Sequence, residues 1–102
     1  MPIAVTSRDS ALTIALSGEI DHHAAREMMG QLSDAISERL PKRLVLDLSG
    51  VTFMDSSGIA VLLRALRQME RSGGSLRVTG VPAQARRVLD AAGVGRLITL
   101  ED

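Results

Sequence analysis

The chain has 102 residues, with twelve basic and twelve acidic side chains and a formal net charge of zero. This length fits one small domain, and the balanced charge together with the absence of Trp and Tyr argues against nucleic-acid binding. Because the chain also lacks cysteine, a secretory pattern and any apolar run of membrane-spanning length, it predicts a cytoplasmic protein without disulfides or thiol catalysis.

Hydrophobic periodicity predicts strand, strand, helix and strand in the first half of the chain. Apolar residues alternate with small or polar ones over 12–16, which indicates a half-buried strand, and residues 3–5 supply its hairpin partner. A helical repeat then begins near Asp21, a possible N-cap, and stops before Pro41. The apolar run over 44–48 is typical of a central strand that is covered on both faces.

The second half of the chain predicts a helix, a strand, a third helix and a last strand. The second helix buries a stripe of apolar side chains, expected to be Ile59, Leu62, Leu63, Leu66 and Met69. A strand at Leu76 and Val78, a helix opened by Pro82 and a strand over 97–100 follow. Phe53, the one residue among Phe, Trp and Tyr, is expected to anchor the core. The order implies helices packed on a mixed, mostly parallel sheet with an N-terminal antiparallel hairpin.

Asp55-Ser56-Ser57-Gly58 joins the central strand to the second helix. Asp, Ser and Gly are common at such junctions because they cap helices and allow tight turns, so a purely structural role is the first interpretation. Only one serine can occupy the cap, however, and the other hydroxyl is then free to carry a phosphate at the positive end of the helix dipole. The spacing alone leaves open which of the two serines faces outward.

The sequence gives little evidence for a metal site, a cofactor site or a catalytic site. Asp21-His22-His23 does not have the spacing of a metal site, because adjacent side chains on a helix diverge and no third ligand is clustered with them. The chain has no GxSxG elbow, Walker motif or GxGxxG sequence, so we expect no cofactor and no enzymatic activity. The outer face of the second helix is either an ordinary solvated surface or a docking surface; it carries Ser57, Ala60, Arg64, Arg67, Gln68 and Arg71.

The stretch from Leu46 to Leu63 resembles the signature of STAS domains, specifically bacterial anti-sigma factor antagonists. The GEIDHHA sequence at 18–24 resembles the second marker of that family, and the segments 73–76 and 91–94 look like its later half. The resemblance therefore implies one STAS domain over residues 1–102. STAS folds commonly finish with a further helix after the last strand, and the sequence is expected to lack it.

The resemblance also implies a function. Antagonists of this family bind an anti-sigma factor that is a serine kinase of the GHKL type, and so free sigma; phosphorylation releases them, and a PP2C-like serine phosphatase restores them. Ser56 matches the phosphoacceptor, with Ser57 as the alternative, and the protein is expected to be a monomer. The expected partner-binding residues are Asp21, His22, His23, Asp55, Ser57, Gly58, Ala60 and Arg64. The competing interpretation is a STAS scaffold subunit of a transport or sensor complex, which is not phosphorylated.

Overall fold

A computed structural model of the protein describes residues 3–101. Within that range five strands and three helices follow one another in the predicted order. They are β1 (Ile3–Arg8), β2 (Ala11–Ile20), α1 (His22–Arg39), β3 (Arg43–Met54), α2 (Ser57–Arg71), β4 (Ser75–Thr79), α3 (Ala83–Ala91) and β5 (Thr99–Glu101). The last strand begins two residues later than expected, because a short 3-10 turn at Val94–Arg96 precedes it.

The strands form a single mixed sheet in the order β1-β2-β3-β4-β5. β1 pairs with β2 antiparallel, as the predicted hairpin requires, and the other three pairings are parallel. The carboxyl ends of β2, β3 and β4 therefore point to the same edge of the sheet. The loops that lead into the three helices lie at that edge, which is where open α/β sheets commonly place their functional sites.

The helices cover mainly one face of the sheet. Leu12, Leu44 and Leu76 lie in register across three strands, and all three are buried. One residue earlier on the neighbouring strands β3 and β4, Arg43 and Ser75 are exposed. The prediction that β3 is covered on both faces is therefore wrong, since its side chains alternate between buried and more accessible positions as far as residue 48.

Phe53 does not anchor the core. The pairing of β2 with β3 shifts register between Ala15 and Ser17 and again between Gly18 and Glu19. After these irregularities the buried positions of β3 are three residues apart, so that Val51 and Met54 point inward. Phe53 is left 42% exposed, and the buried core of the described residues is aliphatic.

The second helix is rotated relative to its predicted orientation. Leu62 and Met69 are buried as expected, but the other inward positions are occupied by Val61 and Ala65. Three residues of the predicted stripe are only half-buried: Ile59, Leu63 and Leu66. Part of the apolar surface of α2 is thus accessible from outside.

No helix formed within residues 3–101 is both long and hydrophobic enough to cross a bilayer.

Candidate functional site

The loop after β2 and the loop after β3 lie side by side at the carboxyl edge of the sheet. Ile20 and Met54 are the last residues of the two strands and are paired in register. The backbone N–H of Asp55 donates to the carbonyl oxygen of Ile20 at 3.2 Å, which joins the two loops directly. The structure therefore brings the Asp21-His22-His23 loop next to the Asp55-Ser56-Ser57-Gly58 junction, two segments more than thirty positions apart in the sequence.

Asp55 provides the side-chain hydrogen bond at the start of α2. Its Oδ1 atom accepts from the N–H of Ser57 at 2.8 Å, and its carbonyl oxygen accepts from the N–H of Gly58 at 3.0 Å. The next N–H group, of Ile59, donates to the carbonyl oxygen of Ser56 at 3.1 Å. The expectation that one serine hydroxyl caps the helix is wrong, because the Asp55 carboxylate satisfies this N–H and places negative charge at the positive end of the dipole.

The two serines differ in accessibility. Ser56 is exposed, and its hydroxyl has no hydrogen-bond partner among residues 3–101. Ser57 is half-buried and lines a small cavity of about 240 Å³ together with His22 and Arg26. Neither serine hydroxyl therefore caps α2. The hydroxyl of Ser56 is the more accessible of the two to another protein.

Gly58 is buried and contributes to the interior behind the junction. A Cβ atom at this position would lie 2.6 Å from Sδ of Met54, whose side chain is fully buried. The absence of a side chain is thus what lets α2 approach the end of β3 closely. Gly58 was expected to contact a partner, but its burial excludes it from the exposed surface.

Gln84, at the start of α3, holds the end of β3 in place. Its Oε1 atom accepts from the N–H of Met54 at 2.8 Å, and its Nε2 donates to the carbonyl oxygen of Met54 at 2.8 Å. β4 pairs with β3 only as far as Asp47, so Met54 has no partner strand on that side, and the amide of Gln84 takes its place. Sequence reasoning missed this contact, because thirty positions separate the two residues and no local pattern marks it.

Asp21 is the N-cap of α1, as predicted. Its Oδ1 atom accepts from the N–H of Ala24 at 2.9 Å, and this hydrogen bond is the main reason why the pKa of Asp21 lies below its ordinary value of 3.8. His22 and His23 are exposed, with their ring centroids 5.9 Å apart. Within the described part of the chain, no three His, Cys, Asp or Glu side chains are grouped so that they could hold a metal ion.

The lowered pKa of Asp21 predicts a pH-dependent contribution to stability. The ionised carboxylate favours the folded state, so this contribution is complete above the unfolded pKa near 4 and is lost as the pH falls through the lower folded pKa. Asp21→Asn keeps a capping oxygen but has no charge to lose. We expect the unfolding free energy of the wild type to fall toward, or below, that of Asp21→Asn between about pH 5 and pH 3. Urea unfolding of both proteins across this window is the test, and a constant difference would contradict it.

Ala60 and Arg64 continue the surface along α2. Both are exposed, and they follow Ser57 by one and two turns of the helix. Gln68, expected on the same outer face, instead bridges to α1 by donating to the carbonyl oxygen of Ser33 and to Oγ of Ser37, each at 3.1 Å. The accessible surface therefore runs from the two loops along one side of α2.

Comparison with known proteins identifies the family to which this fold belongs. The family profile described as "Mlab, STAS domain" matches residues 3–99. An anti-sigma F factor antagonist of Paenibacillus polymyxa is 32% identical over 102 residues, which span 100% of this chain and 87% of that protein. A structure of the anti-sigma factor antagonist SpoIIAA in its unphosphorylated form superposes with a TM-score of 0.81 at 25% identity, covering 96% of this chain and 86% of that one.

The phosphorylated form of Bacillus SpoIIAA also superposes on this chain. The TM-score is 0.72 at 25% identity, and the alignment covers 96% of this chain and 89% of that one. The matched profile takes in every helix and reaches the first residue of β5, and the relative from Paenibacillus polymyxa aligns along the whole sequence. The chain belongs to the STAS domain family, within the group whose relatives are named anti-sigma factor antagonists.

Proposed function

We propose that this protein is an anti-sigma factor antagonist that works by partner switching. In the unphosphorylated form it binds an anti-sigma factor that is also a GHKL-type serine kinase, and sigma is freed. Phosphorylation of Ser56 releases the antagonist, and a PP2C-like serine phosphatase restores it. The protein acts in the cytoplasm as a monomer and as a substrate, without catalysis of its own. The exposed hydroxyl of Ser56, unbonded within residues 3–101 at the start of α2, is the observation that carries the proposal.

A phosphate on Ser56 would act mainly on the complex. It adds a charge of about −1.5 to −2 beside the carboxylate of Asp55, on a surface that loses water when a partner docks. The phosphate would interact favourably with the positive end of the helix dipole. The N–H groups of Ser57, Gly58 and Ile59 already have acceptors, however, so the phosphate could accept hydrogen bonds from them only by displacing those acceptors. The modified side chain therefore stays in solvent in the free domain, and the repulsion is felt where the partner approaches.

The partner surface comprises exposed and half-buried residues around Ser56. On the two loops it includes Asp21, His22, His23 and Asp55, and along α2 it includes Ser57, Ala60 and Arg64. Ala60 has a small side chain, which allows the backbone of a partner to come close to α2. The histidines and the arginine add hydrogen-bond donors on either side of the two carboxylates, so the surface presents both charge signs to the partner.

The first test is phosphopeptide mapping of the protein isolated from its own cells across growth and stress conditions. We expect a phosphate whose occupancy varies, on Ser56 in the peptide spanning 44–64. A phosphate on Ser57 alone would move the assignment to the other hydroxyl. If no condition gave any phosphate, the switch would be refuted and a constitutive STAS scaffold would replace it.

The second test measures binding to the isolated anti-sigma factor. Ser56→Ala is expected to bind as the unmodified protein does and to remain bound in the presence of ATP, whereas Ser56→Asp should bind at least about 10-fold more weakly. Ser10→Asp is the matched control, since it adds the same charge at the far end of β2, about 30 Å away along the strand. Equal binding by Ser56→Ala and Ser56→Asp would contradict the electrostatic mechanism. All three variants should unfold close to the wild type, because these side chains are exposed.

A further inference from the structure

A groove of about 500 Å³ runs along α2 beside α1. We call it the arginine groove; it is lined by Met29, Ala60, Leu63, Arg64, Arg67 and Arg71. Met29 and Leu63 are both half-buried and supply its apolar part, although Leu63 was expected in the buried stripe of α2. The rotation of α2 that buries Val61 and Ala65 is what leaves Leu63 accessible.

The arginines form one row on the accessible side of α2. They are spaced by three and four residues, so they share a helix face and extend over about 10 Å of the helix axis. All three are exposed. The ion pairs found between residues 3 and 101 involve other arginines, namely Arg39, Arg77 and Arg86.

The charge of the arginine row is not compensated locally. The single acidic residue of α2, Glu70, forms no ion pair with the row, and the arginines make no hydrogen bond to any described part of the chain. The lining of the groove contains three arginines and no acidic side chain, so the groove carries an excess of positive charge although the chain as a whole is neutral. Three neighbouring guanidinium groups repel one another in the free protein, and carboxylates brought by a partner would relieve that repulsion.

The groove continues toward the phosphorylation site. A cavity of about 240 Å³ shares Met29 and Ala60 with it and adds Arg26, His22 and Ser57. The combined surface thus follows α2 from its first residue to its last, a distance of about 20 Å along the axis. A strip of this length, apolar in the middle and basic along one side, matches the helix-in-groove mode of recognition.

We propose that the arginine groove receives an acidic amphipathic helix of the anti-sigma factor, with apolar side chains against Met29 and Leu63 and carboxylates paired with the arginine row. This rests on the proposed function, because it gives the chemistry of the segment by which that partner is recognised. The choice of an acidic amphipathic helix rests on complementarity. The basic row would pair with acidic side chains, and the half-buried apolar residues would pack against a nonpolar stripe beside those side chains. A single-stranded nucleic acid is not favoured, since the groove has no aromatic ring on which bases could stack.

The probe is a synthetic helical peptide of about 14 residues, long enough to span α2, with leucines on one face and glutamates flanking them. Titration into the isotopically labelled protein, followed by amide chemical shifts, should perturb residues 60–71. A peptide with glutamine in place of every glutamate should bind at least about 10-fold more weakly, and higher salt should weaken the acidic peptide.

Variants of the groove separate its charge from its shape. Arg64→Gln combined with Arg67→Gln should weaken the acidic peptide about 10-fold, whereas Arg87→Gln, an exposed arginine on α3 outside the groove, should not. Glutamine is as good a helix former as arginine, so the unfolding midpoints should agree and exclude a folding defect. Equal binding of the two peptides, or no shift at millimolar peptide, would overturn the proposal.

Three further outcomes bear on this inference, and the last two distinguish it from the switch itself. Binding of the protein to phosphatidylglycerol vesicles through the same arginines, without peptide binding, would assign the groove to a membrane surface and overturn the helix proposal. The peptide experiment does not involve phosphorylation. A variable phosphate on Ser56 without peptide binding would therefore reject the groove and keep the switch, and peptide binding without any phosphate would do the reverse.

Discussion

Met54→Ala is expected to lower the free energy of unfolding by about 2 to 5 kcal/mol. The Met54 side chain is fully buried at the end of β3, beneath the first turn of α2, and its removal leaves a cavity that the surrounding backbone cannot easily fill. A loss of this size is a large part of the stability of a domain of about 100 residues. Urea unfolding measures it, and a loss well below about 1 kcal/mol would show that the junction is loosely packed.

The contact between Met54 and Gly58 gives this prediction a sharper form. Gly58→Ala alone should cost about 1 to 2 kcal/mol, because the new methyl group meets Met54 atoms, while the gain in helix propensity offsets part of the overpacking. In Met54→Ala/Gly58→Ala the methyl group enters the vacated space, so the double variant should lose clearly less than the sum of the single losses. Additive losses would refute the contact.

Gly30→Ala is the matched control for Gly58→Ala. Gly30 also lies inside a helix, but a Cβ atom there would meet nothing within 4 Å. The same substitution should therefore stabilise the protein by about 0.5 to 1 kcal/mol through helix propensity alone. Changes of opposite sign in the free energy of unfolding at the two glycines would separate the effect of packing from the effect of helix propensity.

Gln84→Met is expected to loosen the end of β3 that leads into the proposed phosphorylation site. Methionine has nearly the shape of glutamine but satisfies neither the N–H nor the carbonyl group of Met54. Two partly buried backbone groups would lose their partners, at a cost of about 1 to 3 kcal/mol. Amide hydrogen exchange should then speed up at Met54 and Ser57 by at least about 10-fold, since local opening follows the lost hydrogen bonds.

The same substitution at Gln31 provides the control. Gln31 is half-buried in α1, and its Oε1 atom is buried without a hydrogen-bond partner among the described residues. Gln31→Met removes this unsatisfied oxygen, so we expect a neutral or slightly stabilising effect and unchanged exchange at Met54. Equal destabilisation by the two substitutions would mean that the Gln84 hydrogen bonds do not hold the junction.

Periodicity predicted the order of elements because the hydrophobic pattern of a strand or helix is set by residues close to one another in the sequence. The Asp21 cap and the hairpin from β1 to β2 belong to this class, since each depends on residues close in the sequence. The prediction for Phe53 failed because two register shifts between β2 and β3 change which positions of β3 face inward, and those shifts arise from pairing between distant segments.

The sequence indicated the two segments of the candidate site but not the contacts within it. Asp21 and Asp55 were both expected in the partner-binding surface, and the parallel pairing of β2 with β3 is what brings their loops together. The sequence did not indicate which side chain caps α2, because aspartate and serine have similar capping preferences and only the geometry shows that Asp55 accepts from Ser57. The Gln84 contact depends on where β4 stops pairing with β3, which no residue pattern records.

The exposed position of Phe53 has a consequence for how this protein can be observed. The chain contains neither Trp nor Tyr, and its single Phe lies near the surface of the junction and not in the interior. Folding therefore gives almost no near-ultraviolet or fluorescence signal of its own. Any tryptophan emission recorded from a mixture with a partner comes from the partner. The environment of the partner's tryptophan can therefore be followed during complex formation without background from the antagonist.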